Sequence, residues 1–224
     1  MSSNGWSFVV WMTFLLVANA HVMQCYRDDQ SARRKTKPFL ISLLLLGYIL
    51  ATKQLDWFLV VALLTSWIGD VLLIPKGDKW FTAGGISFGI SHVFFILCYL
   101  PRITSRAMQF GAALALTALI YFTAAVLLMR LIWEDTPKKM RFPMAFYLIT
   151  NATMNLFAAS QLASVQNFGA LVAYIGALLF FISDCCLYVV RYYRRPEVIF
   201  KKHYTVMCAY LLGEGLITMG MMWI

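Results

Sequence analysis

Residues 168–190 read FGALVAYIGALLFFISDCCLYVV, twenty-three positions with a single charged side chain, Asp184. A helix needs about 20 such residues to cross the hydrocarbon core of a bilayer, and a run this long exceeds what a buried soluble helix requires. Residues 67–75, WIGDVLLIP, close a second apolar run in the same manner: Ile68-Gly69-Asp70 then Leu73, against Ile182-Ser183-Asp184 then Leu187. Working outward from these two, eight apolar runs cover the chain, at about 6–25, 38–52, 56–74, 82–100, 107–129, 143–164, 168–190 and 203–223. The second run is short for a full crossing. Hydrophobic residues make up 61% of the 224, charged residues only 13%, and mean hydropathy is +0.72. Soluble domains carry about 25% charged residues. The expectation is an all-α membrane protein of about eight transmembrane helices, a single integral membrane domain over 1–224 with little left for a soluble domain.

The formal charge of +9 points to topology rather than to nucleic acid. Sixteen of the 19 Lys and Arg fall in the loops 26–37, 75–81, 130–142 and 191–202, and only Lys53, Arg102 and Arg106 fall on the other side. By the positive-inside rule those four loops are cytoplasmic and both termini lie outside. The basic rim also attracts anionic head groups, so membrane lipids are expected partners. Ala18-Asn19-Ala20 resembles a signal-peptidase site, but no Lys or Arg precedes the first run and five follow it, so the helix is expected to stay. Cys25, Cys98, Cys185, Cys186 and Cys208 contain no CxxC pair and predict no disulfide framework.

The two Asp motifs sit in the third and seventh runs, which suggests two four-helix halves in parallel orientation. They place Asp70 and Asp184 at matching depth, about five and six residues from the cytoplasmic end. In the same half of the membrane stand His92, with Phe88 and Gly84 on its face, and the stripe Tyr147, Asn151 and Asn155 at i, i+4 and i+8. Glu214 lies in the eighth run, and Asn19 and Gln24 close the first. A polar cavity open to the cytoplasm is expected. An ionised Asp at mid-span costs about 2.5 to 3.5 kcal/mol, and no Lys or Arg lies deep in any run to offset it. One carboxyl is then expected to be protonated beside a charged one, the preparation for paired acid and base catalysis. The bland alternative makes each Asp a hydrogen-bonding strut between helices. His21 and His203 lie near the interface, and with His92 they stand at different depths with no i, i+4 pair, so no metal site is expected.

The pattern Gly69-Asp70-x-x-Leu73, then Phe81-x-x-Gly84-x-x-x-Phe88-x-x-x-His92, then Gly176-Ala177-x-x-Phe180-x-x-Ser183-Asp184 resembles the YhhN-like family of polytopic membrane proteins, whose characterised members include lysoplasmalogenases. Thr36-Lys37-Pro38, Tyr147 and Met154 extend the resemblance over about 36–220. It implies an intramembrane hydrolase that opens the vinyl ether of a lysoplasmalogen to a fatty aldehyde and a glycerophospho-base, with no metal or cofactor. In that reading Asp70 and Asp184 are catalytic. His92, Tyr147, Asn151, Asn155, Ser183 and Glu214 meet the substrate or water, and Lys37 meets the phosphate of the lysophospholipid.

Three other readings stay open at this level: a proton-coupled lipid or small-solute transporter, a metal-dependent intramembrane lipid hydrolase, and a non-catalytic lipid-binding or assembly protein. The charge bias suits a bacterial inner membrane and the endoplasmic reticulum alike, and the lack of a long soluble segment favours the former. Oligomeric state, head group and chain length are not written in the sequence.

Overall fold

A computed structural model describes residues 3–224, with side-chain environments from Gly5 onward. Every regular element among the described residues is a helix. In chain order they are α1 (Ser3–Tyr26), α2 (Gln30–Thr36), α3 (Leu40–Ala51), α4 (Trp57–Leu72), α5 (Asp78–Tyr99), α6 (Gly111–Ile132), α7 (Lys138–Val165), α8 (Phe168–Tyr192) and α9 (His203–Met222). Eight of these match the eight apolar runs, and the short α2 is an addition inside the basic loop 26–37. Side-chain caps fix several starts. Asp29 accepts from the Ala32 amide, Asp56 from those of Phe58 and Leu59, and Asn167 from that of Ala170, each satisfying a first-turn donor.

Among the described residues five helical segments, Gly5–Tyr26, Asp78–Arg102, Ser105–Ile132, Phe168–Tyr192 and His203–Met222, are long and apolar enough to cross a membrane. The other three of membrane scale differ for separate reasons. α3 and α4 have 12 and 16 residues, about 18 and 24 Å at 1.5 Å per residue. α7 has 28 residues but carries Lys138, Lys139 and Arg141 in its first turn and buries Asn151, Asn155 and Gln161 farther along. Large apolar side chains such as Phe8, Leu16, Leu119 and Phe146 are exposed while polar ones are buried. That inverts the soluble pattern and fits a hydrocarbon surround.

The chain forms two compact units, Met1–Phe94 and Phe95–Ile224, with the boundary inside α5. In the first unit α1 packs on α3 and α3 on α4. Gly47 leaves room for the Trp11 ring, 3.3 Å from where a Cβ would stand. α4 meets α5 through two glycines. A Cβ on Gly69 would lie 2.7 Å from the Phe88 ring, and one on Gly84 would lie 2.8 Å from Leu73 and 3.2 Å from the Gly69 carbonyl. The contact is pinned by Ser66 and Ser91 hydroxyls 2.7 Å apart and by Ser87 donating to the Thr65 carbonyl at 2.6 Å. The spacing of Gly69, Leu73, Gly84 and Phe88 is therefore a packing code between two helices.

In the second unit α8 and α9 run antiparallel at backbone contact. A Cβ on Gly176 would stand 2.6 Å from the Ile217 amide and 2.7 Å from the Gly213 carbonyl, and one on Gly213 2.9 Å from the Phe180 amide. Phe180 packs edge-on against Tyr210 with centroids 5.4 Å apart. α6 and α7 close over α8 at Tyr121, Ala152 and Phe181, where the two rings meet edge to face at 5.0 Å.

Candidate functional site: two buried carboxylates

Asp70 lies in the last turn of α4 and is 2% exposed. Its Oδ1 stands 3.3 Å from Nζ of Lys37, whose side chain is 18% exposed. The sequence offered no cation deep in any run, and that expectation is corrected. Lys37 begins at the interface in the turn before α3, and its four-carbon stem carries the ammonium inward to the acid, the inverse of snorkelling outward. Two neighbours complete the tie. Thr36 meets His21 Nδ1 at 2.7 Å and donates to Gln24 Oε1 at 2.8 Å, both on α1. With the Thr36 proton given to Gln24, the His21 Nδ1–H is the donor in the other bond. The Pro38 carbonyl accepts from the Trp67 indole at 2.7 Å. Thr36-Lys37-Pro38 thus binds α1 on one side and, through Lys37 and Pro38, Trp67 and Asp70 on one face of α4 on the other. His21, expected near the interface, is 1% exposed within this network.

Asp184 sits in α8 at 5% exposure. Its Oδ2 accepts from the Tyr147 hydroxyl at 2.7 Å and from Asn151 Nδ2 at 2.6 Å. Asn155 in turn donates to Asn151 Oδ1 at 3.0 Å, and its own Oδ1 has no hydrogen-bond partner. The polar stripe of α7 is therefore a relay ending on one carboxyl oxygen. Ser183 donates to the Val206 carbonyl at 2.9 Å and so ties α8 to α9. Glu214 is wholly buried on α9, within electrostatic reach of the Tyr147 and Tyr99 hydroxyls. The Tyr99 hydroxyl is buried with no hydrogen-bond partner. His92 is wholly buried on α5, one turn past Phe88.

The structure brings Lys37 to Asp70 in the first unit, and Tyr147, Asn151 and Asn155 to Asp184 in the second. The expectation of matching depth is not met against each helix's own end. α4 stops at Leu72, two residues past Asp70, whereas α8 continues eight residues past Asp184 to Tyr192. The turn Pro75-Lys76-Gly77, with Gly77 at φ +119°, comes soon after α4, while no breaker precedes Pro196. Among the described residues no three His, Cys, Asp or Glu side chains gather as a metal-binding group. Sequence reasoning missed Trp67 and the Thr36–His21 bond. The signal available was Trp67 at i−3 from Asp70 beside the quoted Thr36-Lys37-Pro38.

Chemically, the first unit offers a carboxylate held beside a fixed cation. The second offers a buried carboxyl whose Oδ2 is gripped by two neutral donors. A family model, that of the YhhN family, matches residues 32–221. No curated protein and no solved structure matches the chain.

Proposed function

The chain belongs to the YhhN family, and from that membership we propose that it is a lysoplasmalogenase, an intramembrane hydrolase of the vinyl ether in lysoplasmenylcholine and lysoplasmenylethanolamine. The observation that carries this reading is Asp184: a buried carboxyl in an apolar helix, with Oδ2 fixed by Tyr147 and Asn151. Vinyl ethers resist base and open by protonation at carbon, so the reaction needs an acid oriented in a dry site. Asp184 delivers its proton to the β-carbon of the alkenyl chain, and the electron pair of the double bond forms the new C–H bond. The adjoining carbon becomes an oxocarbenium centre, as in glycoside hydrolysis. Water adds there and loses a proton to the Asp184 carboxylate, which restores the acid for the next turnover. The hemiacetal then breaks its C–O bond, giving the fatty aldehyde, while the glycerol oxygen leaves protonated. Asp70, ion-paired with Lys37 in the first unit, is the second carboxylate of this reading and is assigned the stabilisation of the cation. Lys37, at partial exposure, is also the group closest in character to a phosphate contact.

In this reading α3, α4 and α7 cross the membrane along with the five apolar segments, the four basic loops face the cytoplasm, and the host membrane is a bacterial inner membrane.

The test is aldehyde release from a lysoplasmenyl lipid by purified protein in detergent, with and without a chelator. Asp184→Asn and Asp70→Asn are each expected to lower turnover by about 10² to 10⁴, in protein whose fold is checked by its unfolding midpoint. Tyr147→Phe removes one of the two hydrogen bonds that orient the carboxyl and is expected to cost about tenfold. Well-folded Asn variants that keep turnover and lose only binding sink the catalytic assignment. Activity lost to the chelator moves the weight to a metal-dependent hydrolase.

A further inference from the structure

On the second unit two depressions of about 620 and 260 Å³ lie along α6 and α8, and they adjoin, since Thr117 and Tyr174 line both. The larger is within the range of single-ligand sites. The lining runs from Phe110, just before α6, to Ala124 on α6, and from Phe168 to Ile182 on α8, fourteen helical steps in each case and about 21 Å. Small side chains at Ala113, Ala124, Ala159 and Ala163 open the trench. Its hydroxyls are engaged within the protein: Thr117 donates to the Ala113 carbonyl at 2.9 Å, and Tyr121 meets Tyr174 at 3.4 Å. An apolar trench between two membrane-scale helices, with Ile120, Phe168 and Ile182 exposed along its lips, is open to hydrocarbon.

The inner end decides what lies in it. Phe181, edge-on to Tyr121 and packed on Ala152, forms the floor. Asp184 is three residues farther along α8, about 4.5 Å on the axis, and Asn151, its hydrogen-bond donor, is the neighbour of Ala152 on α7. We propose that this trench holds the single alkyl tail of the lysolipid, with its first carbons beside Phe181 and Ile182 and its terminal methyl toward Phe168, so that the trench sets chain-length preference. The proposal rests on the reading of Asp184 as the reacting acid for its direction along the trench.

The experiment uses a series of saturated ether lysophospholipids of increasing tail length, which cannot be hydrolysed, binding to the purified full chain by displacement of a fluorescent lysolipid. Thr117→Trp blocks the trench about 10 Å from Ala124 and Ala113→Trp about 16 Å from it. Affinity should fall about fourfold for each methylene that a block displaces. Thr117→Trp is thus expected to lose long and intermediate tails and keep short ones, and Ala113→Trp to lose only the longest. Ala113 is exposed, so its replacement leaves the packing intact. Independently of any variant, a lysolipid with a diazirine at the tail end should cross-link near Ala113, Leu114 and Leu171. Length profiles equal to the wild type overturn the proposal, as does a cut at all lengths by Ala113→Trp, which would place the tail's first carbons at Asn167. Graded binding without aldehyde release refutes the hydrolase and leaves the trench. Aldehyde release with an ungraded series refutes the trench and leaves the hydrolase.

Discussion

An acid in the last turn of a helix faces the negative end of the helix dipole, and at 2% exposure Asp70 has little water to offset it. Lys37 supplies the offset at 3.3 Å. Stranding one member of such a pair is costly, typically 3–5 kcal/mol for a fully buried one, whereas removing both is tolerated. Lys37→Met is accordingly expected to destabilise the protein by roughly 3 kcal/mol, read from chemical or thermal unfolding in detergent. Lys37→Met with Asp70→Asn should recover most of that loss. Equal destabilisation in the single and double variants would show that the ion pair contributes nothing and that Lys37 matters only through its packing. The identity of the polar residues was legible in the sequence: Asp70, Asp184, His92, Tyr147, Asn151 and Asn155 stand out as polar groups in apolar runs. Their partners were less so. The i, i+4 spacing put Tyr147 and Asn151 on one face of α7, but nothing local said that the face meets Asp184. Lys37 was read as an interfacial cation because helix periodicity places its Cα and says nothing of where a four-carbon stem ends.

At the scale of elements, the motif glycines act as contact points between helices. Gly176 has the Ile217 amide and Gly213 carbonyl of α9 within 2.7 Å of an added Cβ, and backbone does not rotate away as a side chain can. Gly176→Ala should therefore force α8 and α9 apart, at about 1–3 kcal/mol, the usual cost of overpacking. Gly215 on the same α9 has nothing within 4 Å of an added Cβ, so Gly215→Ala should be neutral or gain up to about 1 kcal/mol from helix propensity. Unfolding midpoints of the two variants beside the wild type check both signs, and a Gly176→Ala protein as stable as Gly215→Ala would remove the close-contact account. Helix existence was legible from the apolar runs, and the ends of α8 and α9 fall near the expected boundaries. The start of α7 did not, because Lys138–Arg141 looks like loop by hydropathy and Pro143, a residue that ordinarily ends or kinks a helix, lies inside α7 as its sixth residue. α2 was hidden for the complementary reason: its seven residues, QSARRKT, have no apolar face, and its start is set by the Asp29 cap.

At the scale of the molecule, exposed apolar side chains and buried polar ones mark a chain built for lipid, and the proposed direction rests on the basic loops. The number of crossings turns on α3 and α4. α3 alone is about 18 Å long, short of a hydrocarbon core of about 30 Å. The preceding turn Lys37–Phe39 is helical too, as a 3₁₀ segment, and its rise of about 2 Å per residue brings the rod to roughly 24 Å. α4 has the same length within that estimate. A modest local thinning of the bilayer accommodates both, at fractions of a kcal/mol per Å of mismatch. In the proposed topology, where both cross, Lys53 in the link between them lies on the face opposite Lys37 and Lys76. With the five native cysteines replaced, Lys53→Cys should react with a membrane-impermeant maleimide on intact cells, and Lys76→Cys only after permeabilisation. A re-entrant α3–α4 pair predicts the contrary result, a Lys53→Cys protein unlabelled from outside. That outcome would return the chain to the side it left, reduce the crossings by two, and place Asp70 in a hairpin entered from the cytoplasm rather than in a helix that spans.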